Sequence, residues 1–189
     1  MATLKLAAVF AQKQNPHTQI DGGDSLLFTS TAEQTDHLPF ASLLLGTSSN
    51  FMRFNEDSSI GLYLVSERSP LNKPLSELST LELPACVGIF PMVANPKIGA
   101  AAADRHWRDI HAPLALEVHD AMTHYYQLSV AHRFFGPAWN GLALCCFASE
   151  RNLREKMYTS AEGKHRIEQD IARFADTQQS PRKVVATVS

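Results

Sequence analysis

The sequence predicts an α+β protein in which residues 84–189 form a ferredoxin-like βαββαβ module. The prediction rests on the order of the sequence patterns, and the need to cover the sheet follows from it. After Pro84, strand and helix patterns follow in the order strand, helix, strand, strand, helix, strand. An open sheet with helices on one face leaves its other face apolar, so a second sheet must cover it. The strand-rich residues 1–83 could supply that cover, or a second subunit could.

The N-terminal part, residues 1–83, contains predicted strands, one loop and one connecting segment. The strands are short apolar runs bounded by turn residues: LKLAAVFAQ, SLLFTST, PFASLLLGTS and SIGLYLVSE. NPHTQIDGGDS is predicted to be a loop because Gly22, Gly23 and Asp24 favour turns. The prolines of RSPLNKPLSELSTLELP predict a connection between two domains, with one helical turn.

The module begins with a buried strand, ACVGIFPMVA, and an alanine-rich helix, GAAAADRHWRDIH. Pro113 interrupts that helix or begins a second turn, because its ring clashes with a carbonyl of the preceding turn. Two strands follow, MTHYYQLSVAHRF and PAWNGLALCCFAS. The segment ERNLREKMYTSAEGKHRIEQDIARFADT has helical spacing, and Gly163 is predicted to divide it into two pieces. RKVVATVS is the closing strand.

Composition argues against several classes of protein. The formal net charge is -2 and the basic residues are scattered, whereas nucleic-acid binding favours a basic stripe. No apolar run approaches the ~18 residues that span a bilayer, and the N-terminus lacks a signal-peptide pattern. Cys86, Cys145 and Cys146 form neither a disulfide framework nor a zinc motif. We expect them to be small buried hydrophobes in a cytoplasmic protein with no nucleic-acid or membrane partner.

Four of the eight histidines lie between Arg105 and Leu128, which raises the question of a metal site. His106 and His111 are five residues apart and therefore not on one helical face. His119 and His124 flank a predicted loop. Because metal binding needs converging ligands with a recognisable spacing, we predict no metal site here.

The same segment suggests acid–base chemistry. Trp107 and His111 are four residues apart and share a helical face. Strand periodicity places His124, Tyr126 and His132 on one face of the next strand. If that face looks toward the helix, His111 meets Tyr126 in one pocket. We therefore predict His111 as general base or acid, with Tyr126 and His132 assisting, because imidazole titrates near neutrality and a tyrosine can donate to an oxyanion.

The predicted pocket is lined by large side chains that suit a hydrophobic ring. The predicted substrate-binding residues are Trp107, His124, Phe134, Trp139 and Phe147. His111 and Trp107 each have a structural alternative to a functional role. In that alternative, His111 serves only to bind carbonyls left free by Pro113, and Trp107 serves as a core anchor.

Two further residues have less specific predictions. His106 is expected on the outer flank of the helix. Asp170 either orients a catalytic histidine or forms a cap or salt bridge.

Five sequence pieces, in this order, resemble the EthD family of dimeric α+β barrel proteins: His106-Trp107, His111 to Ala115, Tyr125-x-Gln127, Asn140-Gly141 and Asp170 to Phe174. The resemblance covers residues 84–189 and implies a dimeric α+β barrel. It also implies cyclisation, decarboxylation, isomerisation or oxygenation of aromatic and polyketide-like compounds without a tightly bound cofactor. The chain departs from the family in having residues 1–83, interpreted as a degenerate barrel half, and in having His106 where a tyrosine is usual.

These observations together predict a cofactor-independent lyase, cyclase or isomerase that uses histidine acid–base chemistry on a hydrophobic aromatic or polyketide-like substrate. The alternatives are a cofactor-free oxygenase of the same substrates and a non-catalytic barrel that binds a hydrophobic ligand. A further alternative is a haem site with a histidine ligand, as in some larger barrels of the superfamily. We expect a homodimer formed through the sheet faces, unless the N-terminal half takes the partner's place.

Overall fold

A computed structural model describes residues 3–15 and 25–189, which form a β-barrel with helices on its outside. The strands are β1 (Thr3–Phe10), β2 (Ser25–Ser30), β3 (Ser42–Gly46), β4 (Gly61–Leu71), β5 (Cys86–Met92), β6 (Met122–Phe135), β7 (Gly141–Phe147) and β8 (Val184–Val188). The helices are α1 (Ala100–His106), α2 (Ala112–Val118), α3 (Glu150–Glu155) and α4 (Ala161–Phe174). A π-helical segment, Trp107–His111, joins α1 to α2. The predicted loop at Gly22, Gly23 and Asp24 lies outside the described residues.

The barrel closes within this one chain. Its strand order is β1-β3-β2-β8-β5-β7-β6-β4, and β4 returns to β1; every neighbouring pair is antiparallel. The module contributes the four strands β8-β5-β7-β6. Numbered within the module, these are its fourth, first, third and second strands. The N-terminal strands repeat this order as β4-β1-β3-β2. This repetition supports our proposal that residues 1–83 are a degenerate barrel half.

The barrel interior is a packed core of alternating side chains. Its members include Val9, Phe28, Leu43, Val65, Ile89, Leu128 and Leu144. Successive strand residues point to opposite faces, so neighbours of these residues face outward. Cys145 and Cys146 show this alternation, since Cys146 belongs to the interior cluster and Cys145 packs toward the helices. All three cysteines are buried, which confirms the prediction that they are small buried hydrophobes.

The two outer faces of the barrel are covered differently. The helices pack over β5, β6 and β7 through an apolar cluster that includes Ala115, Tyr125 and Ile167. Over the N-terminal strands, a 3₁₀ segment, Ser49–Arg53, supplies Phe51 instead of a helical layer. Among the described helices, none is long and apolar enough to cross a membrane.

Two local predictions are wrong. The predicted domain connection begins inside β4, which continues to Leu71 because it pairs along much of its length with β6. The last helical region is divided at residues 156–160 and not at Gly163. Ser160 caps α4 by accepting a hydrogen bond from the Gly163 N–H at 2.9 Å. A serine cap satisfies a free amide of the first turn, so the helix begins before the glycine.

An ion pair lies inside one end of the barrel. Lys5 shares the inward face of β1 with Val9, and Glu67 shares the inward face of β4 with Val65. Lys5 Nζ and Glu67 Oε2 are 2.5 Å apart, and the side chains are only 5% and 1% exposed. Glu67 Oε1 also accepts a hydrogen bond from the Leu75 N–H at 2.9 Å. The pair therefore ties β1, β4 and the following turn together.

Candidate active site

An apolar cavity of about 260 Å³ lies between the helices and the outer face of β5–β7. Its apolar lining includes Phe90, Met92, Trp107, Ile167, Ile171 and Phe174. The polar side chains at its wall include His111, His119, Tyr125 and Tyr158. A cavity with an apolar wall and a few polar groups is the usual form of a small-molecule site.

The helical wall of the cavity is built from four residues at four-residue steps: Trp107, His111, Ala115 and His119. The first part of this wall is the π-helical segment, where the Ala112 N–H donates to the Trp107 carbonyl. The segment ends shortly before Pro113, whose missing N–H removes an α-helical hydrogen bond. A π-helical turn accommodates that loss and keeps the four-residue row on one face. The predicted shared face of Trp107 and His111 is therefore confirmed.

His111 is held by a buried carboxylate. Its Nδ1 lies 2.9 Å from Asp170 Oδ2, and both side chains are buried. Burial would raise the pKa of Asp170, but hydrogen bonds from His111 and His106 outweigh it and leave that pKa below its usual value. A charged carboxylate only accepts, so His111 Nδ1 carries the hydrogen. Nε2 is then the nitrogen that a ligand in the cavity can meet.

The second oxygen of Asp170 binds His106. Asp170 Oδ1 lies 2.7 Å from His106 Nε2, and the His106 ring stacks on Phe174 with centroids 5.3 Å apart. The prediction that His106 lies on the outer flank of the helix is therefore wrong. A helix that packs against α4 turns this flank inward, which sequence spacing alone does not reveal.

Tyr125 is the polar group that the sequence analysis missed. Its hydroxyl accepts hydrogen bonds from Trp107 Nε1 at 3.1 Å and from Gln127 Nε2 at 3.2 Å. Gln127 Nε2 also donates to the Trp107 carbonyl at 2.9 Å, which fixes the amide orientation because a carbonyl cannot donate. The Tyr125 hydroxyl accepts twice, so neither of these bonds uses its own hydrogen, and the residue lines the cavity. Burial raises the pKa of Tyr125 well above its usual value, which keeps the hydroxyl protonated.

Tyr126 and His132 are not near His111. Tyr126 is fully buried in the barrel interior, where its hydroxyl donates to the Lys73 carbonyl at 3.1 Å. His132 is exposed near the end of β6, against the edge of Phe134. The condition for the predicted pocket, that this face of β6 looks toward the helix, is therefore not met, and the predicted grouping of His111, Tyr126 and His132 is wrong. Both faces of the first half of β6 are buried, so alternation could not distinguish them, and a shift of one residue exchanges the faces.

Among the predicted substrate-binding residues, only Trp107 lines the cavity. His124 points to the interior with Tyr126, and the two rings are 6.1 Å apart. Trp139 stacks on Tyr63 at 5.9 Å, also in the interior core. Phe134 is 40% exposed, and Phe147 is buried between sheet and helices beyond the cavity wall. These placements correct the predicted lining.

His119 also lines the cavity, and the sequence analysis did not include it in the pocket. The row of apolar and aromatic residues at four-residue steps from Trp107 could have identified it. Its Nδ1 is bound to the Met157 carbonyl, and burial lowers its pKa. For metal binding, residues 3–15 and 25–189 contain no group of three or more His, Cys, Asp or Glu side chains that could hold an ion.

Comparison with known proteins gives structural relatives only. No family model matches the chain, and no curated protein does. An anthrone oxidase-like protein of known structure is 11% identical, with a TM-score of 0.58, and the match covers 98% of this chain and 91% of that one. A "putative monooxygenase" from Lactobacillus acidophilus NCFM is 8% identical, with a TM-score of 0.47, over 98% and 92% of the two chains. The predicted ferredoxin-like α+β barrel is thereby confirmed.

Proposed function

We propose that this protein is a cofactor-independent enzyme in which His111 takes a proton from a hydrophobic aromatic substrate and the deprotonated substrate then reacts with dioxygen. The observation that carries the proposal is the pair of His111 and Asp170, 2.9 Å apart at the wall of an apolar cavity. A histidine whose Nδ1 is held by a buried carboxylate presents Nε2 as a base. The carboxylate orients the ring and stabilises the imidazolium that forms.

The cavity suits an acid whose conjugate base is delocalised over a ring. Its wall is largely apolar, so it favours a ring compound over a charged or sugar-like molecule. A phenol, or a carbon beside a carbonyl, loses a proton to imidazole at neutral pH when the resulting negative charge is stabilised. Tyr125 supplies this stabilisation, because its hydroxyl hydrogen is free while Trp107 and Gln127 hold its oxygen.

Oxygenation is favoured as the next step for two reasons. An electron-rich carbanion reacts with dioxygen directly, and an apolar cavity admits dioxygen while it limits water. For a ring methylene the balance is CH2 + O2 giving C=O + H2O. The structural likeness to an anthrone oxidase-like protein supports this step over a lyase, cyclase or isomerase reaction. Membership in the EthD family is part of the proposal and is supported by His111 and Gln127, which both contribute to the site.

Turnover of a model substrate tests the proposal. Anthrone is incubated with the purified protein in air, and anthraquinone formation and oxygen uptake are measured against the rate without protein. We expect His111→Gln to lower kcat at least about 100-fold, the range typical for loss of a general base. His165→Gln is the matched control, because His165 is exposed on α4 away from the cavity.

The outcomes separate the alternatives. A full rate in a folded His111→Gln protein would overturn the role of His111. A product that is isomerised or cyclised without oxygen uptake would assign the enzyme to the lyase, cyclase or isomerase class that the sequence predicts. Ligand binding with no turnover by the unmodified protein would identify a non-catalytic binding barrel.

A further inference from the structure

We propose that His119 is a second ligand-facing residue of the cavity and that it accepts a hydrogen bond from a hydroxyl group at a different position of the ring ligand from the group that meets His111. The proposal rests on the proposed function to the extent that it concerns the same cavity. It goes further because it assigns a recognition role to a residue outside the acid–base pair.

The position of His119 separates it from His111 along the helix. His119 directly follows the last residue of α2, and both histidines line the cavity. Eight residues of helix correspond to a rise of about 12 Å. The two residues therefore occupy different positions along the helical wall of the cavity.

The hydrogen bond of His119 determines its tautomer. Nδ1 faces the Met157 carbonyl, which can only accept, so Nδ1 carries a hydrogen. The ring is buried, and burial disfavours the charged form. The neutral ring then has a lone pair and no hydrogen on Nε2. Within the described part of the chain, Nε2 has no hydrogen-bond partner.

The three polar groups of the wall thus differ in what they recognise. Nε2 of His111 and Nε2 of His119 are acceptors, and the Tyr125 hydroxyl is a donor. Between the histidines the wall is apolar, with Ala115 at the intermediate position. A ring compound with two separated hydroxyl groups satisfies both acceptors, whereas a compound with one hydroxyl leaves one imidazole without a partner.

Equilibrium binding of three matched probes tests this recognition. The probes are naphthalene, 2-naphthol and 2,6-dihydroxynaphthalene, and binding is followed by calorimetry in the absence of oxygen. We expect the diol to bind about tenfold more tightly than 2-naphthol, the typical gain for one added hydrogen bond.

Two variants separate recognition from structural support. In His119→Asn the side-chain amide can still donate to the Met157 carbonyl but has no group at the Nε2 position. His119→Phe keeps an aromatic ring and loses both nitrogens. Both variants are expected to lose the preference for the diol over 2-naphthol, and in His119→Asn the affinity for the diol falls more than the affinity for naphthalene, which makes no hydrogen bond.

Several results would overturn the inference. It fails if His119→Asn keeps the tenfold preference, or if it weakens all three probes equally, since the latter indicates a structural role. It also fails if the unmodified protein shows no preference for the diol or binds none of the probes. These binding results are independent of turnover, so a failure of His119 in recognition leaves the test of His111 in catalysis intact.

Discussion

The indole of Trp107 packs directly on Gly141, at a position where a side chain would not fit unless the ring moved. A Cβ atom added to Gly141 would lie 2.5 Å from Cζ3 of Trp107 and 2.9 Å from Cη2. Trp107 also donates from Nε1 to Tyr125 and forms part of the cavity wall. The glycine that begins β7 therefore determines how deeply the helical wall of the site can pack against the sheet.

Gly141→Ala should displace the Trp107 ring and disturb Tyr125 with it. We expect the free energy of unfolding to fall by about 1–3 kcal/mol, the usual cost of overpacking, and turnover to fall as well. Urea denaturation measures the first effect. Gly88→Ala is the control, because there the nearest atom is the edge of the Phe90 side chain at 3.0 Å. Equal losses in the two variants would contradict the specific role of Gly141.

Asp170→Asn should lower kcat more than it weakens ligand binding. An amide can present its NH2 group to His111 Nδ1, which would shift the imidazole hydrogen to Nε2 and remove the base from the cavity. We expect a fall of at least about 100-fold in kcat with little change in the Kd for naphthalene. A variant with the same kcat as the unmodified protein would show that Asp170 is only structural.

The same substitution should change the acid side of the stability profile. The folded pKa of Asp170 is lowered mainly because hydrogen bonds from His111 and His106 outweigh burial. A carboxyl whose pKa is lowered by folding stabilises the protein above its unfolded pKa of about 3.9 and loses that contribution as the pH falls through the folded value. As the pH is lowered from 7 to 2, the midpoint temperature of thermal unfolding should therefore fall less steeply for Asp170→Asn than for the unmodified protein. If the unfolding temperatures of the two proteins fall in parallel with pH, the Asp170 carboxylate makes no such contribution to stability.

His106→Phe and His106→Tyr should differ in stability. Phenylalanine can keep the stacking on Phe174 but leaves Asp170 Oδ1 without its partner, which costs about 1–3 kcal/mol. A tyrosine hydroxyl can donate to the same oxygen, so His106→Tyr should retain more stability. Guanidinium denaturation of the two variants measures the difference, and equal midpoints would show that the bond to Asp170 Oδ1 contributes little.

Glu67→Gln should be strongly destabilising because it leaves Lys5 charged inside the barrel. Breaking one side of a buried ion pair costs about 3–5 kcal/mol, whereas replacing both members by apolar residues is often close to neutral. The double variant with Lys5→Met and Glu67→Leu should therefore be more stable than Glu67→Gln in urea. Glu168→Gln is the surface control, since the Lys164 and Glu168 side chains are both more than half exposed. A double variant less stable than Glu67→Gln would contradict this account.

The predicted homodimer is tested by sedimentation. The chain's own strands β1–β4 close the barrel, so a dimer would associate through surfaces other than the inner face of an open sheet. Detection of only a 20.9 kDa species at micromolar concentration would contradict the dimer.

Much of the module could be predicted because its signals are local. Alanine-rich and amphipathic spacing marks α1 and α4, and runs of apolar and β-forming residues mark β5, β6, β7 and β8. The shared face predicted from the four-residue spacing of Trp107 and His111 is found in the structure, where both residues line the cavity. Helical periodicity depends only on residues within a few turns, so it is readable from sequence.

Tertiary packing decided which residues meet across the cavity. Tyr125 and not Tyr126 lines the cavity with His111. The sequence could not distinguish them, because the first half of β6 is buried on both sides and its hydrophobic pattern is the same whichever face is turned inward. Asp170 reaches both His106 and His111 because α4 packs beside the π-helical segment, a contact between residues about sixty positions apart. The chain specifies its elements through local periodicity, while the opposing residues of the site follow from the register of long-range pairing and the closure of the barrel by β1–β4.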